Sequence, residues 1–320
     1  MVTAESPVLE RHGRLKQLVL DLWEISRPGL FMVSIVPFWF GYLLASRQLI
    51  FGQEACGQSV GDCASALAAG AVGLVVWGPL VWLAVLAIND AYDLEADRLN
   101  PRKDTPLTSG RLSERGAKVA AYGAAATAVA LSYAVRPGMA LATLGFLVCG
   151  WIYSVPPLKW KNRAGFDVLS NCLALGVFPV LGGWAVARPL DGFPWIMALA
   201  LFLVQVGMYM PTMIGDCETD RATGSITTAV RFGQDRAYQL GLVCWTGFWA
   251  MTVALAALDE VYPRELLWFQ LLCTPLFVWL YHRGLGRARE PRDIARGMIM
   301  VGRLFLLPLL VFALVYSGTI

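Results

Sequence analysis

Nine apolar runs, each long enough to cross a bilayer, leave this chain few folds to adopt. A spanning helix needs about 20 residues, fewer when it stands upright. The runs fall at roughly 29–46, 65–88, 117–135, 139–155, 168–187, 193–214, 237–257, 264–281 and 297–318. They are long and do not alternate, which argues against a transmembrane barrel. Only 15% of the 320 residues are charged and 57% are hydrophobic, whereas a soluble domain carries about 25% charge. One aqueous core cannot hide so many apolar side chains. The expected fold is all-α, a multi-span membrane protein of about nine transmembrane helices. No linker interrupts it, so residues 1–320 read as a single domain.

The charges report the orientation. If the nine runs alternate, 22 of the 26 Lys and Arg fall on one side, leaving Arg47, Arg136, Arg188 and Arg264 on the other. By the positive-inside rule the crowded side is cytoplasmic. We expect an integral protein of the inner or plasma membrane, with its N-terminus in the cytoplasm and no nucleic-acid partner. Within the N-terminal segment 1–28, residues 1–16 are polar and "RLKQLVLDLWEI" is too short and too charged for a signal core. Leu15, Leu18, Leu22 and Ile25 recur at helical spacing, as in an amphipathic helix on the membrane surface or the start of the first span. Seven cysteines form no CxxC pair. Cys149, Cys172, Cys244 and Cys273 read as packing residues. Cys56 and Cys63 flank a polar loop and can pair if it faces an oxidising compartment.

Against this background two acidic segments stand out. "INDAYDLEADRLNPRKD" (88–104) ends the second run, and "MIGDCETDRATGSITTAVRFG" (213–233) ends the sixth. Both lie on the expected cytoplasmic side. Asn89, Asp93 and Asp97 are four apart and share a helix face, as do Asp216 and Asp220. Solvated helix ends are the plain alternative, but acids at the C-terminal end of a helix oppose its dipole. Two carboxylate ladders across a cavity suit hard divalent cations. Mg2+ fits best, because it takes one or two carboxylates and completes its shell with water and phosphate. Arg102, Lys103, Lys159, Lys161, Arg163 and Arg221 are near enough in sequence to hold phosphate oxygens. Acids, metal and bases beside a greasy cavity describe a site for a lipid-linked diphosphate.

These residues resemble the UbiA superfamily of intramembrane prenyltransferases. "NDAYDLEAD" (89–97) is similar to its first Asp-rich motif and "DCETDRATG" (216–224) to its second. "YSVPPLKWK" (153–161) resembles a third segment, and the order of the three matches over most of the chain. The resemblance implies a helical bundle with a central cavity and an Mg2+-dependent transfer in isoprenoid biosynthesis. An isoprenyl group would pass from an allylic isoprenyl diphosphate donor to a lipophilic acceptor among the membrane lipids, releasing pyrophosphate. It further implies that Asn89, Asp90, Asp93 and Asp97 serve one metal and Asp216 and Asp220 another. Lys159, Lys161 and Arg221 would neutralise the leaving pyrophosphate.

Aromatic faces stabilise cations, and Tyr153 ranks above Tyr92, Trp151 and Trp160 for that role. Asp167 and Asn171 contact acceptor or diphosphate, or else cap a helix. The pattern departs from the family at Thr105 in "DTPLTSG" (104–110), where many members have Arg. "GFDVLSN" (165–171) and "DRATGSITTAVRFG" (220–233) look most like the carotenoid-elongating branch. The NDxxD and PLxSG elements look more like the chlorophyll-synthase and archaeal lipid branches. A transporter using intramembrane acids for cation or proton coupling is the rival class.

Overall fold

The computed structural model of the protein describes residues 7–98 and 103–320. Its regular structure is helical, with no strand among the described residues. In chain order the α-helices are α1 (Pro7–Ser26), α2 (Phe31–Ser46), α3 (Ala55–Gln58), α4 (Val60–Val75), α5 (Val81–Arg98), α6 (Glu114–Val135) and α7 (Pro137–Ser154). They continue with α8 (Phe166–Cys172), α9 (Phe178–Ala187), α10 (Ile196–Ala222), α11 (Thr228–Phe232), α12 (Gln234–Leu258), α13 (Leu267–Leu285) and α14 (Pro291–Tyr316).

Eight helices among the described residues are long and apolar enough to cross a membrane, taking α1–α2, α4–α5 and α8–α9 as one each. The remaining expected run, 264–281, is α13, a 19-residue helix packed against α12 and α14. Gln270, His282 and Arg283 dilute its apolar character. Its neighbour α12 meets two of them: Thr252 Oγ1 donates to Gln270 Oε1 at 3.1 Å, and the Tyr238 hydroxyl lies 2.7 Å from His282 Nδ1. The chain is an integral membrane protein with one span less apolar than its neighbours.

Local chemistry sets the helix ends. Ser59 and Ser113 cap α4 and α6, their hydroxyls accepting from Asp62 N and Gly116 N at 3.1 and 3.0 Å and so satisfying otherwise free amides. Proline opens α7 and α14, where its missing N–H costs nothing. Arg27 takes a left-handed φ of 50°, which separates α1 from α2. Leu15, Val19 and Trp23 of α1 are exposed, while Asp21 and Ile25 are buried. A disulfide joins Cys56 to Cys63 between α3 and α4.

Two spans are broken midway by π turns, Val76–Leu80 and Leu173–Val177. Pro79 and Pro179 lie in or beside them, and proline removes a ladder hydrogen bond. In hydrocarbon the freed groups need partners. Ser34 supplies one, donating to the Trp77 carbonyl while accepting from Trp82 Nε1 at 2.8 Å.

α2 and α9 cross at near contact through glycines. A Cβ on Gly183 would stand 1.7 Å from the Phe38 carbonyl oxygen, and one on Gly41 would stand 2.0 Å from that of Val180. Small residues let transmembrane backbones approach in this way. Gly183→Ala is therefore expected to destabilise the protein by about 3 kcal/mol, the upper range for overpacking. Gly302→Ala, where a Cβ meets nothing within 4 Å, should be neutral. Thermal unfolding of the two variants in detergent compares them directly, and equal midpoints would contradict the crossing.

Candidate active site

The end of α5 gathers acids where the bundle meets water, and Asp90, Asp93 and Asp97 are each met by a cation from another part of the chain. Asp90 is 2% exposed, and its Oδ1 accepts from Arg27 Nη2 at 2.8 Å. Its Oδ2 is buried without a partner. Asp93 is bonded to Lys161, and Lys159 Nζ lies 3.4 Å from its Oδ1. Asp97 accepts from Lys103 Nζ through both oxygens, at 2.8 and 2.9 Å. Asn89 Nδ2 donates to Ser154 Oγ at 3.1 Å. Lys159, like Arg27, holds a left-handed backbone, with φ 37°. Such a conformation costs on the order of 1–3 kcal/mol and concentrates at functional sites. Burial pushes the Lys161 ammonium below the usual lysine range, against the opposing pull of Asp93.

Asn89, Asp93, Lys103, Tyr153, Lys161, Asn171 and Asp216 line one cavity of ≈ 430 Å3, together with Arg27 and Ser154. Its deeper wall is apolar and includes Trp82, Val85, Phe146, Cys149 and Leu175. The structure thus brings residues of both acidic segments to one space. The Tyr153 hydroxyl lies 3.3 Å from that of Tyr209. The Asn171 side-chain oxygen is buried and unpartnered.

Other expected site residues stand elsewhere. Among the described residues, Asp90, Asp97, Lys159, Asp220 and Arg221 lie outside the cavity lining. Asp220 accepts from Thr227 Oγ1 at 3.2 Å, and Arg221 is exposed, directed at the Cys217 sulfur. Arg102 lies outside the described residues. Asp167 is 0% exposed and does not line the cavity. Its carboxylate accepts from the Thr228 amide at 2.6 Å, from the Thr228 hydroxyl, and from Val168 N at 2.8 Å. These bonds make Asp167 an internal staple, which fastens the segment after α10 to the start of α8. Of the ranked aromatics, Tyr92 lies under the Lys118 ammonium at 4.4 Å and Trp160 packs on Phe166 at 4.8 Å.

Arg27 and Ser154 were not singled out from the sequence. Arg27 counts there as one more flanking cation. Its only local signal is the following proline, which stops α1 and turns the guanidinium toward α5.

Among the described residues no three Asp, Glu, His or Cys side chains form a ready metal cluster. The reason is visible in the ion pairs, since Arg27, Lys103 and Lys161 close on the acids that a cation would use. The donor set is still all oxygen, and Asp90 Oδ2 and Asn171 Oδ1 are unpartnered. Such a set fits a hard divalent ion.

The geometry is that of a helical membrane protein with a cavity lined by acids and bases. Residues 34–315 match the UbiA prenyltransferase family, and the chain belongs to that family. It is a prenyltransferase, which sets the transporter alternative aside. It is 32% identical over 267 residues to a lycopene elongase/hydratase of Halobacterium salinarum, covering 81% of this chain and 89% of that one. A digeranylgeranylglyceryl phosphate synthase of Methanopyrus kandleri is 29% identical, over 69% of this chain and 77% of the other. The fold is similar to a UbiA homologue from Archaeoglobus fulgidus bound to GPP and Mg2+, with a TM-score of 0.68 and 21% identity. That likeness covers 93% of this chain and 99% of the homologue.

Arg27→Ala should leave the buried Asp90 charge unpaired, at a cost of about 3 kcal/mol, the low end for a buried pair because Arg27 is 41% exposed. Adding Asp90→Asn should recover most of that loss. Unfolding of the single and double variants checks the coupling, and additive losses would contradict it.

Proposed function

We propose that the protein transfers an isoprenyl group from an allylic diphosphate to an acyclic polyene acceptor of the lycopene class, with Mg2+ as cofactor. The carrying observation is that Asp93 and Asp216, from two distant acidic segments, share one cavity with Arg27, Lys103 and Lys161. The donor diphosphate enters that cavity. Asn89, Asp90, Asp93, Asp97, Asp216 and Asp220 would hold Mg2+, which would supply positive charge to the phosphate oxygens when bound. Lys161 and Lys159 exchange Asp93 for those oxygens. Arg27 and Lys103 add charge at the same rim.

As the allylic carbon–oxygen bond breaks, its electron pair goes to pyrophosphate, and the surrounding cations stabilise that developing charge. A double bond of the acceptor then attacks the allylic carbon, and a new carbon–carbon bond forms. The resulting cation loses a proton, which pyrophosphate accepts. Phe146, Cys149 and Leu175 form a wall that keeps water from the cation. Tyr153 faces the same space.

Two apolar chambers adjoin the cavity and support separate seats for two lipids. One is a groove of ≈ 710 Å3 between α5, α6 and α7, floored by Ala121, Ala125, Ala126 and Ala130 and sharing Val85 with the cavity. It suits the donor tail. The other is an inner chamber of ≈ 190 Å3 that shares Leu175 with the cavity. Its lining is mostly apolar, which suits a hydrocarbon acceptor. The 32% identity to a lycopene elongase/hydratase supports the same acceptor class. The orientation is cytoplasmic for the acids, supported by the disulfide in a loop on the other side, since such bonds persist in oxidising compartments.

Asp93→Ala, Asp216→Ala and Lys161→Ala should each lower Mg2+-dependent pyrophosphate release by about 10²–10³-fold, the loss seen when one preorganised electrostatic contact is removed. Chelation with EDTA should abolish release, and added Mg2+ should restore it. Membranes supplied with geranyl, farnesyl or geranylgeranyl diphosphate and lycopene provide the assay. Full activity in both Asp variants would overturn the assignment. Ala125→Phe should fill the donor groove and shift kcat/KM toward the shorter diphosphates by about tenfold, within the 10–200-fold that hydrophobic pockets achieve. An unchanged donor profile would move the tail elsewhere.

A further inference from the structure

The acidic cavity is the first of three that follow one another along α10. Met197, Leu201, Val204, Gln205 and Met208 line the inner chamber, and Asp216 lines the acidic cavity. Steps of three and four keep such residues on one helix face. From Met197 to Asp216 the helix rises about 28 Å at 1.5 Å per residue, close to the ~30 Å of a bilayer's hydrocarbon. Pro194, just before the helix, lines a third cavity of ≈ 850 Å3 at the other membrane face.

Two more helices repeat the progression. On α2, Val36 and Phe40 line the inner chamber, and Leu44, with Arg47 just past the helix, lines the outer cavity. On α14, Phe305 and Phe312 line the first and Tyr316 the second. Adjacent spaces share one wall residue each. Leu175 stands between the acidic cavity and the inner chamber, and Tyr262 between the inner chamber and the outer cavity.

The outer cavity differs from the inner chamber in chemistry. Arg47, Arg188, Asp259 and Glu265 line it. The Arg47 guanidinium lies over the Tyr316 ring at 5.1 Å and that of Arg188 over Trp184 at 6.0 Å. Arg47 and Arg188 are two of the four cations that helix alternation assigns to this sparsely charged side. In the chamber between, Gly302 leaves space that a side chain would fill, since a Cβ there meets nothing within 4 Å. The Trp249 indole nitrogen is buried in the same wall without a partner.

We propose that the acceptor binds lengthwise across the membrane, its reacting end in the acidic cavity, its chain through the inner chamber, and an oxygen-bearing distal end in the outer cavity beside Arg47 and Arg188. The inference rests on the polyene reading above and deepens it. A neutral hydroxyl suits the outer cavity because it both donates and accepts, so guanidinium and carboxylate are each satisfied. An anionic headgroup would meet Asp259 and Glu265 unfavourably.

The test compares lycopene with a lycopene derivative hydroxylated at one end, using wild-type membranes and the donor that supports most turnover. The wild type should favour the hydroxylated acceptor by about tenfold in kcat/KM, the weight of one hydrogen bond to a charged group. Arg47→Ala combined with Arg188→Ala should remove that preference. Gly302→Phe should raise KM for both polyenes about tenfold, as a filled pocket does, without a matching change in KM for the donor. Gly302→Ala controls for folding. Transfer to lycopene with no preference for the hydroxyl, or a preference that survives in the double variant, would overturn the outer-cavity assignment and leave the proposed activity standing. An unchanged KM in Gly302→Phe would overturn the path through the inner chamber. Transfer to neither polyene by the wild type would overturn the inference together with the acceptor reading.

Discussion

The site depends on the neutralisation of a row of carboxylates at a lipid–water edge. Asp90, Asp93 and Asp97 end α5, where they repel one another and oppose the helix dipole. Each is closed by a cation from another segment: Arg27 from the α1–α2 junction, Lys103 from the loop after α5, and Lys159 and Lys161 from the connection between α7 and α8. That arrangement places three stretches of irregular chain over one cavity. It also explains why the left-handed backbones of Arg27 and Lys159 persist, because the ion pairs they enable offset a local cost. Electrostatic pairing adds to a small apolar cluster, with Ile25, Leu94, Leu107 and Val155 among its members, in holding the cap of the cavity together. Such a cap suits a site whose ligand brings both metal and phosphate, since the same lysines can pass from carboxylate to phosphate without leaving the cavity.

Below the cap, the hydrocarbon imposes a different rule. Backbone groups must be bonded internally, yet two spans are interrupted at Val76–Leu80 and Leu173–Val177. Both interruptions border the acidic cavity. Trp82 and Val85 follow the first, and Ala174 and Leu175 belong to the second. π turns of this kind recur at functional sites. Here they widen the bundle where a cavity is needed, while Ser34 meets the carbonyl freed beside Pro79. The close α2–α9 crossing at Gly41 and Gly183 holds the opposite side of these spans together.

Much of this was legible in the sequence, and the remainder was not for identifiable reasons. Apolar runs and basic loops located the helices, because length and charge are local properties. The less apolar α13 was legible too, since Gln270 and His282 only dilute it. The four-residue spacing of Asn89 and Asp93, with Asp216 four spans later, marked the cavity. Pairings were harder. Arg27 with Asp90 and Asn89 with Ser154 join residues 63 and 65 apart, and no periodicity encodes such a match. The partners of Asp167 were hidden for a related reason, since the groups that bind it, the Thr228 amide and hydroxyl, lie 61 residues away. The cavities themselves arise from which faces of α2, α10 and α14 turn inward, and hydropathy alone cannot rank those faces in α2 or along the span of α10, which are apolar all round.

The gradient of polarity along α10 joins these points into one account of selectivity. Asp216 stands at the charged end, Met208, Gln205 and Leu201 follow through the inner chamber, and Pro194 opens on a second polar space. On the proposed reading, a carbocation formed at the first boundary would have pyrophosphate and lysines on one side and an aromatic and aliphatic wall on the other. That wall would keep water away, so the nucleophile would be the lipid presented from the inner chamber. The lining of that chamber, rather than any contact at the reacting carbon, would then set which lipid is prenylated, as the acids and lysines would set which diphosphate is ionised.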